Sequence, residues 1–92
     1  MHILQALVNL TPEEQQQKAV FLEKLGEHIR IIRIKKKMRQ IEVADRCNFS
    51  RSGYNQIENG LRNVSIFTLY KIAHVLDVPL ETLVGVSGIG EI

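Results

Sequence analysis

Apolar residues at Phe21, Leu22, Leu25, Ile29 and Ile32 fall three and four positions apart, a spacing that predicts a helix with one stripe turned toward a core. Its start is written in Thr11-Pro12-Glu13-Glu14: a hydroxyl to cap, a proline where no amide is needed, and a glutamate that can reach back to the cap. Good helix formers continue to about Lys37, interrupted by Gly26, which costs about 1 kcal/mol against alanine inside a helix. The segment is one long helix, or a short leading helix followed by a second from near Leu22. Gln40 to Cys47 sets Ile41, Val43, Ala44 and Cys47 in a short helix, and Asn48-Phe49-Ser50 breaks it. Ser50 caps a further helix from Arg51 to Asn59, closed by Gly60 where a positive φ is needed. Ser65 caps the next, running to about Leu76 with Ile66, Leu69, Ile72, Ala73 and Leu76 inward. Asp77-Val78-Pro79 stops it, and Leu80 to Val84 makes a last short turn of helix.

The ends read differently. Met1 to Leu10 is an apolar arm too short to fold alone, and the closing GVSGIGEI, with three glycines, frays or pairs with a partner chain. The expected divisions are 1–21 for the arm and helical extension, 22–84 for the main domain and 85–92 for the tail. Ninety-two residues that are 45% hydrophobic suffice for one small core and leave no room for a second. Cys47 is the single cysteine, so no intrachain disulfide can form, and its apolar-periodic neighbours mark it as a reduced packing residue. No apolar run approaches the roughly 18 residues of a membrane span, and the uncharged stretch from Ile3 leads into a helix start, so a cytoplasmic chain is expected. His2, His28 and His74 lie scattered without ligand spacing, so no metal or cofactor is expected. With no converging acid, base or nucleophile, an enzyme is the weakest functional class.

Charge changes the picture. The net charge of +2 conceals nine Lys and Arg between His28 and Arg62 against three acidic residues, with acidic flanks on either side. Such asymmetry suits a face that meets a polyanion. Two short helices joined by three residues cross steeply, and a helix is about the width of the DNA major groove. If the first of the pair braces the second across the backbone, the N-terminal side chains of the second reach base edges. Arg51, Ser52, Asn55 and Gln56 share one face of that helix, while Tyr54 and Ile57 lie on the other as anchors, with the Tyr54 hydroxyl expected to stay wet.

Gln40, the Val43-Ala44 pair, Ser50, the Ile57-Glu58-Asn59-Gly60 string and the later pattern Asn63, Ser65, Leu69, Ile72-Ala73 and Leu76 occur in order without insertion. In these residues the chain resembles the helix-turn-helix family of phage repressors, Cro proteins and related bacterial regulators, over about Leu25 to Val84. The resemblance implies an all-α, compact five-helix bundle with a central helix-turn-helix, here with an additional N-terminal helical extension, binding double-stranded DNA as a homodimer. It implies base contacts from Arg51, Ser52, Asn55 and Gln56, and phosphate contacts from Arg39, Gln40, Asn59, Gly60, Arg62 and Asn63, with Gln40 also able to touch the reading helix. Arg33 and Glu58 resemble a partly buried ion pair that locks the first helix to the reading helix. Departures are Arg39 in place of the usual Ser or Thr cap, Asn48 in place of the turn glycine and Val64 in place of a frequent proline.

One reading helix spans only a few base pairs, so two related by a two-fold axis are expected to read half-sites about 34 Å apart. Leu80, Leu83, Val84, Val86 and Ile89 are the nearer candidates for the dimer contact; Ile3, Leu4, Leu7 and Val8 are a second set that could instead cover the monomer core. The expected function is a sequence-specific transcriptional regulator acting on a palindromic operator. An antitoxin bound to a toxin, a restriction-modification controller, or an interaction module that grips another regulatory protein would use the same core.

Overall fold

The computed structural model describes residues 9–85. Among them are five helices and no strand: α1 (Pro12–Lys35), α2 (Gln40–Arg46), α3 (Arg51–Glu58), α4 (Ile66–Leu76) and α5 (Leu80–Val84). The all-α five-helix bundle with a central helix-turn-helix and an N-terminal helical extension is therefore present as expected. The 24 residues of α1 run unbroken through Gly26, so the alternative of a separate leading helix falls away. Its first turns, Pro12 to Val20, are exposed.

The starts follow the capping residues. Thr11 Oγ1 accepts from the Glu14 amide at 3.1 Å while Glu14 Oε1 accepts from the Thr11 amide at 2.9 Å, so two otherwise orphaned donors are satisfied reciprocally. Ser50 Oγ accepts from the Gly53 amide at 3.0 Å and Ser65 Oγ from the Thr68 amide at 3.1 Å. Arg39 offers no acceptor to α2, so only the return half of the box forms, from the Arg39 amide to Glu42 Oε1 at 2.8 Å.

The ends repeat one device that the sequence announced only at Gly60. Lys37, Asn48, Gly60 and Asp77 all lie in the left-handed region, with φ of 59°, 54°, 72° and 57°. The following amide in each case reaches back five residues: Met38 to the Arg33 carbonyl (3.2 Å), Phe49 to Ala44 (2.9 Å), Leu61 to Gln56 (2.9 Å) and Val78 to Ala73 (3.0 Å). This closure satisfies terminal carbonyls and turns the chain sharply. Asn and Asp tolerate the conformation through their short polar side chains; Lys37 pays the Cβ penalty in full, about 1 kcal/mol or somewhat more.

Helix α1 packs on α3 and α5, α2 on α3 and α4, and α4 on α5. Leu25, Ile29, Val43, Ala44, Tyr54, Ile57, Ile72, Leu76 and Leu83 fill the centre, with Cys47 buried among them. Burial pushes the Cys47 thiol up, which keeps it protonated and inert as expected of a packing residue. Ile66 departs from its expected inward place: it is 67% exposed. It opens α4 beside exposed Phe67, so the stripe continues past the last neighbour able to cover it. Gly26 has a role that helix propensity hides. A Cβ there would meet the Glu58 carbonyl oxygen, and the Ile57 carbonyl oxygen at 2.5 Å, so the last turn of α3 rests directly on the backbone of α1.

Candidate nucleic-acid interface

Helix α3 divides cleanly. Gly53, Tyr54, Ile57 and Glu58 are buried, whereas Arg51, Ser52, Asn55, Gln56 and Asn59 are exposed, which brings the four expected base-facing residues onto one solvent-facing surface. Arg51 Nη2 lies 3.6 Å from Asp45 Oδ2 at the end of α2, a contact between exposed groups that holds the guanidinium only weakly.

Beneath that face Arg33 and Glu58 form the expected ion pair, and it is a larger assembly than a pair. Arg33 Nε donates to Glu58 Oε2 at 2.6 Å and Arg33 Nη2 to Oε1 at 3.0 Å, while Arg33 Nη1 donates to the Met38 carbonyl at 2.8 Å. Tyr54 Oη donates to Glu58 Oε2 at 2.5 Å and Gln40 Nε2 to Oε1 at 2.9 Å. Four donors thus occupy a carboxylate whose side chain is wholly buried. Burial alone would raise the Glu58 carboxyl, but the hydrogen bonds from Arg33, Tyr54 and Gln40 outweigh it and hold the carboxyl below its ordinary value. The hydrogen bond to Glu58 raises Arg33 further against its own desolvation, and burial with the same carboxylate drives Tyr54 strongly upward. The Tyr54 hydroxyl is therefore dry, contrary to expectation; its four-residue spacing from Glu58 was the available signal.

Gln40 is the bridge from this buried centre to the surface. Its carbonyl accepts from Asn55 Nδ2 at 3.1 Å, and Asn55 Oδ1 accepts from Asn59 Nδ2 at 3.0 Å. Around the rim stand the remaining expected phosphate contacts. Arg39 and Asn63 are exposed, and the amide of Gly60 is committed to the Ile57 carbonyl at 3.1 Å. The Arg62 guanidinium stacks over the Phe49 ring at 5.2 Å, in space left open by Gly53, so it is carried on the turn between α2 and α3. At the C-terminal side Leu83 is enclosed in the chain's own core, Leu80 and Val84 are half-buried, and Val86 and Ile89 lie outside the described residues, as does His2. His28 ties α1 to α5 through a 2.8 Å hydrogen bond from Nε2 to the Thr82 carbonyl.

The helix-turn-helix family profile matches residues 29–83, more than half of the chain and every element of this surface. The chain belongs to the helix-turn-helix family of the XRE/Cro type. Relatives within that family are regulators by name. Over 66 residues the chain is 36% identical to the control protein C.BamHI of Bacillus amyloliquefaciens, covering 71% of this chain and 82% of that protein. It is 34% identical over 61 residues to the immunity repressor protein of Bacillus phage phi105, covering 66% of this chain. The alignment takes in only 42% of that repressor, so the chain spans less than half of its length. Among solved structures, the restriction-modification controller protein C.AhdI from Aeromonas hydrophila superposes with a TM-score of 0.66 at 34% identity, over 67% of this chain and 94% of that one.

Within the described residues no group of three His, Cys, Asp or Glu could hold a metal ion, and no helix is long and apolar enough to cross a membrane. The exposed surface of α3 is built from donors, acceptors and guanidinium groups held over the buried Arg33–Glu58 assembly.

Proposed function

We propose that this DNA-binding regulatory protein of the helix-turn-helix family is a restriction-modification controller that acts as a homodimer on a two-fold symmetric operator. The observation that carries this is coverage: the controller relatives align over 82% and 94% of their own lengths, the phage repressor over 42%. In the proposed complex α3 enters the major groove with Arg51, Ser52, Asn55 and Gln56 toward the bases, while Arg39, Gln40, Asn59, Arg62 and Asn63 meet phosphates; Gly60, its amide already bonded to the Ile57 carbonyl, does not. The second copy joins through the outward sides of Leu80 and Val84, with Leu83 holding α5 to its own body.

Selection of the full chain against a randomised duplex library at two salt concentrations tests this. The expected product is a pair of inverted half-sites about 34 Å apart; a library that emerges unselected refutes the operator reading. Mapping the selected site in the source genome tests the controller reading, which requires it beside restriction and modification genes. Light scattering of Val84→Glu is expected to give monomer. If that variant stays dimeric while Phe67→Glu on the exposed side of α4 does not, the contact belongs to α4.

A further inference from the structure

The chain Arg33, Glu58, Gln40, Asn55, Asn59 has a direction, and the direction has chemical content. Glu58 is an ionised carboxylate and can only accept, so the Gln40 amide must turn its NH2 inward and its carbonyl outward. The outward carbonyl can only accept in turn, so Asn55 must present Nδ2 to Gln40, and Asn55 Oδ1 is left to receive Asn59 Nδ2. A free asparagine can flip and offer either pattern. Asn55 cannot, because its orientation is inherited through Gln40 from a buried ion pair. An asparagine amide carries two N–H groups and two carbonyl lone pairs, so after these two bonds one donor and one acceptor remain on an exposed side chain.

We propose that Gln40 and Glu58 act as positioning residues that make Asn55 a reader of adenine in the half-site. Adenine is the base whose major-groove edge offers one acceptor, N7, beside one donor, N6. Guanine offers two acceptors, thymine an acceptor and a methyl group, and cytosine a single donor, so none satisfies the remaining pair on Asn55. Fixing the amide in advance also removes the entropy cost of choosing the right flip on binding. The proposal rests on α3 being the base-facing helix and adds which base one of its residues takes and what sets that choice.

The experiment uses the full chain and the half-site obtained by selection. Asn55→Ala identifies the position it reads, expected to be an adenine in the wild-type site. Gln40→Met keeps the length of the side chain and removes both amide groups. It is expected to lower discrimination at that same position by roughly 5- to 150-fold, the range of one bidentate base contact, while leaving the position lost in Arg51→Ala unchanged. Glu58→Gln permits the reverse orientation of Gln40 and is expected to do likewise if it folds; Gln40→Met does not depend on that. Replacing the adenine by 7-deazaadenine, which lacks N7, should weaken wild-type binding and leave Gln40→Met binding unaltered. A position lost in Asn55→Ala that is not adenine, or one to which Gln40→Met is indifferent, overturns the proposal and leaves the operator reading intact. Absence of any selected sequence overturns both.

Discussion

Gly26→Ala sets two effects of opposite sign against each other. Helix propensity alone predicts that alanine in the middle of α1 stabilises by about 1 kcal/mol. The added Cβ, however, would stand 2.5 Å from the Ile57 carbonyl oxygen and 2.7 Å from the Glu58 carbonyl carbon, where ordinary contact begins at 3.4 Å. Backbone lies on both sides of the clash, so no side-chain rotamer relieves it, and α3 must lift by nearly an ångström. Overpacking of this kind costs about 1–3 kcal/mol, and rigid neighbours put it at the upper end. Subtracting the propensity gain leaves a net destabilisation of about 2 kcal/mol, which in a chain of this size lowers the melting temperature by roughly 10 °C. Urea and thermal unfolding followed by circular dichroism at 222 nm give the answer, with Lys24→Ala on the exposed side of the same helix as the neutral reference. A Gly26→Ala midpoint at or above that of the wild type would show that the close approach of α1 and α3 is not what requires glycine.

Other expectations follow from the same geometry. Because the folded-state Glu58 carboxyl lies below its unfolded value, its contribution to stability is complete above about pH 4.3 and is lost as pH falls through the folded value; Glu58→Gln should flatten acid unfolding in that window. Removing one member of the buried pair, as in Arg33→Met, should cost about 3 kcal/mol in denaturant unfolding, and adding Glu58→Leu should restore part of it. Lys37→Gly should raise stability by about 1 kcal/mol by relieving a left-handed non-glycine residue, whereas the same change at exposed Lys24, inside α1, should lower it. In binding assays Arg51→Ala should relax selection at one base position by about 1–3 kcal/mol, while Arg62→Ala should weaken all sequences alike and reduce the salt slope by about one.

Much of this molecule was legible in the chain because its local signals agree. Thr11, Ser50 and Ser65 cap where their hydroxyls suggested, and the helices end within a residue or two of their expected limits. The exposed face of α3 followed from a 3.6-residue period, which separates Arg51, Ser52, Asn55 and Gln56 from Tyr54 and Ile57 without reference to any partner. What escaped needed a second element to define it. Gly26 looked like a defect in α1 until α3 lay against it. Ile66 fitted the stripe of α4, but no neighbour covers the first turn of that helix. Leu83 looked like pairing material because an apolar residue near a terminus does not reveal whether its own core will claim it. Gln40 was expected at a phosphate and able to touch the reading helix, and it does meet Asn55 there, yet its inward bond to Glu58 depends on three elements meeting at one point.

The Arg33–Glu58 assembly also bears on lifetime. Its members are 25 residues apart in sequence, so they meet only after α2 and α3 have been laid down between them, and the helices themselves form far sooner from local contacts. An interaction completed late in folding acts mainly on the rate of opening. Separating the two ions requires water to enter the dry space under α3, and that admission is expected to govern how often the helix loosens from its base. The buried charges would then set how long the exposed face of α3 holds one arrangement.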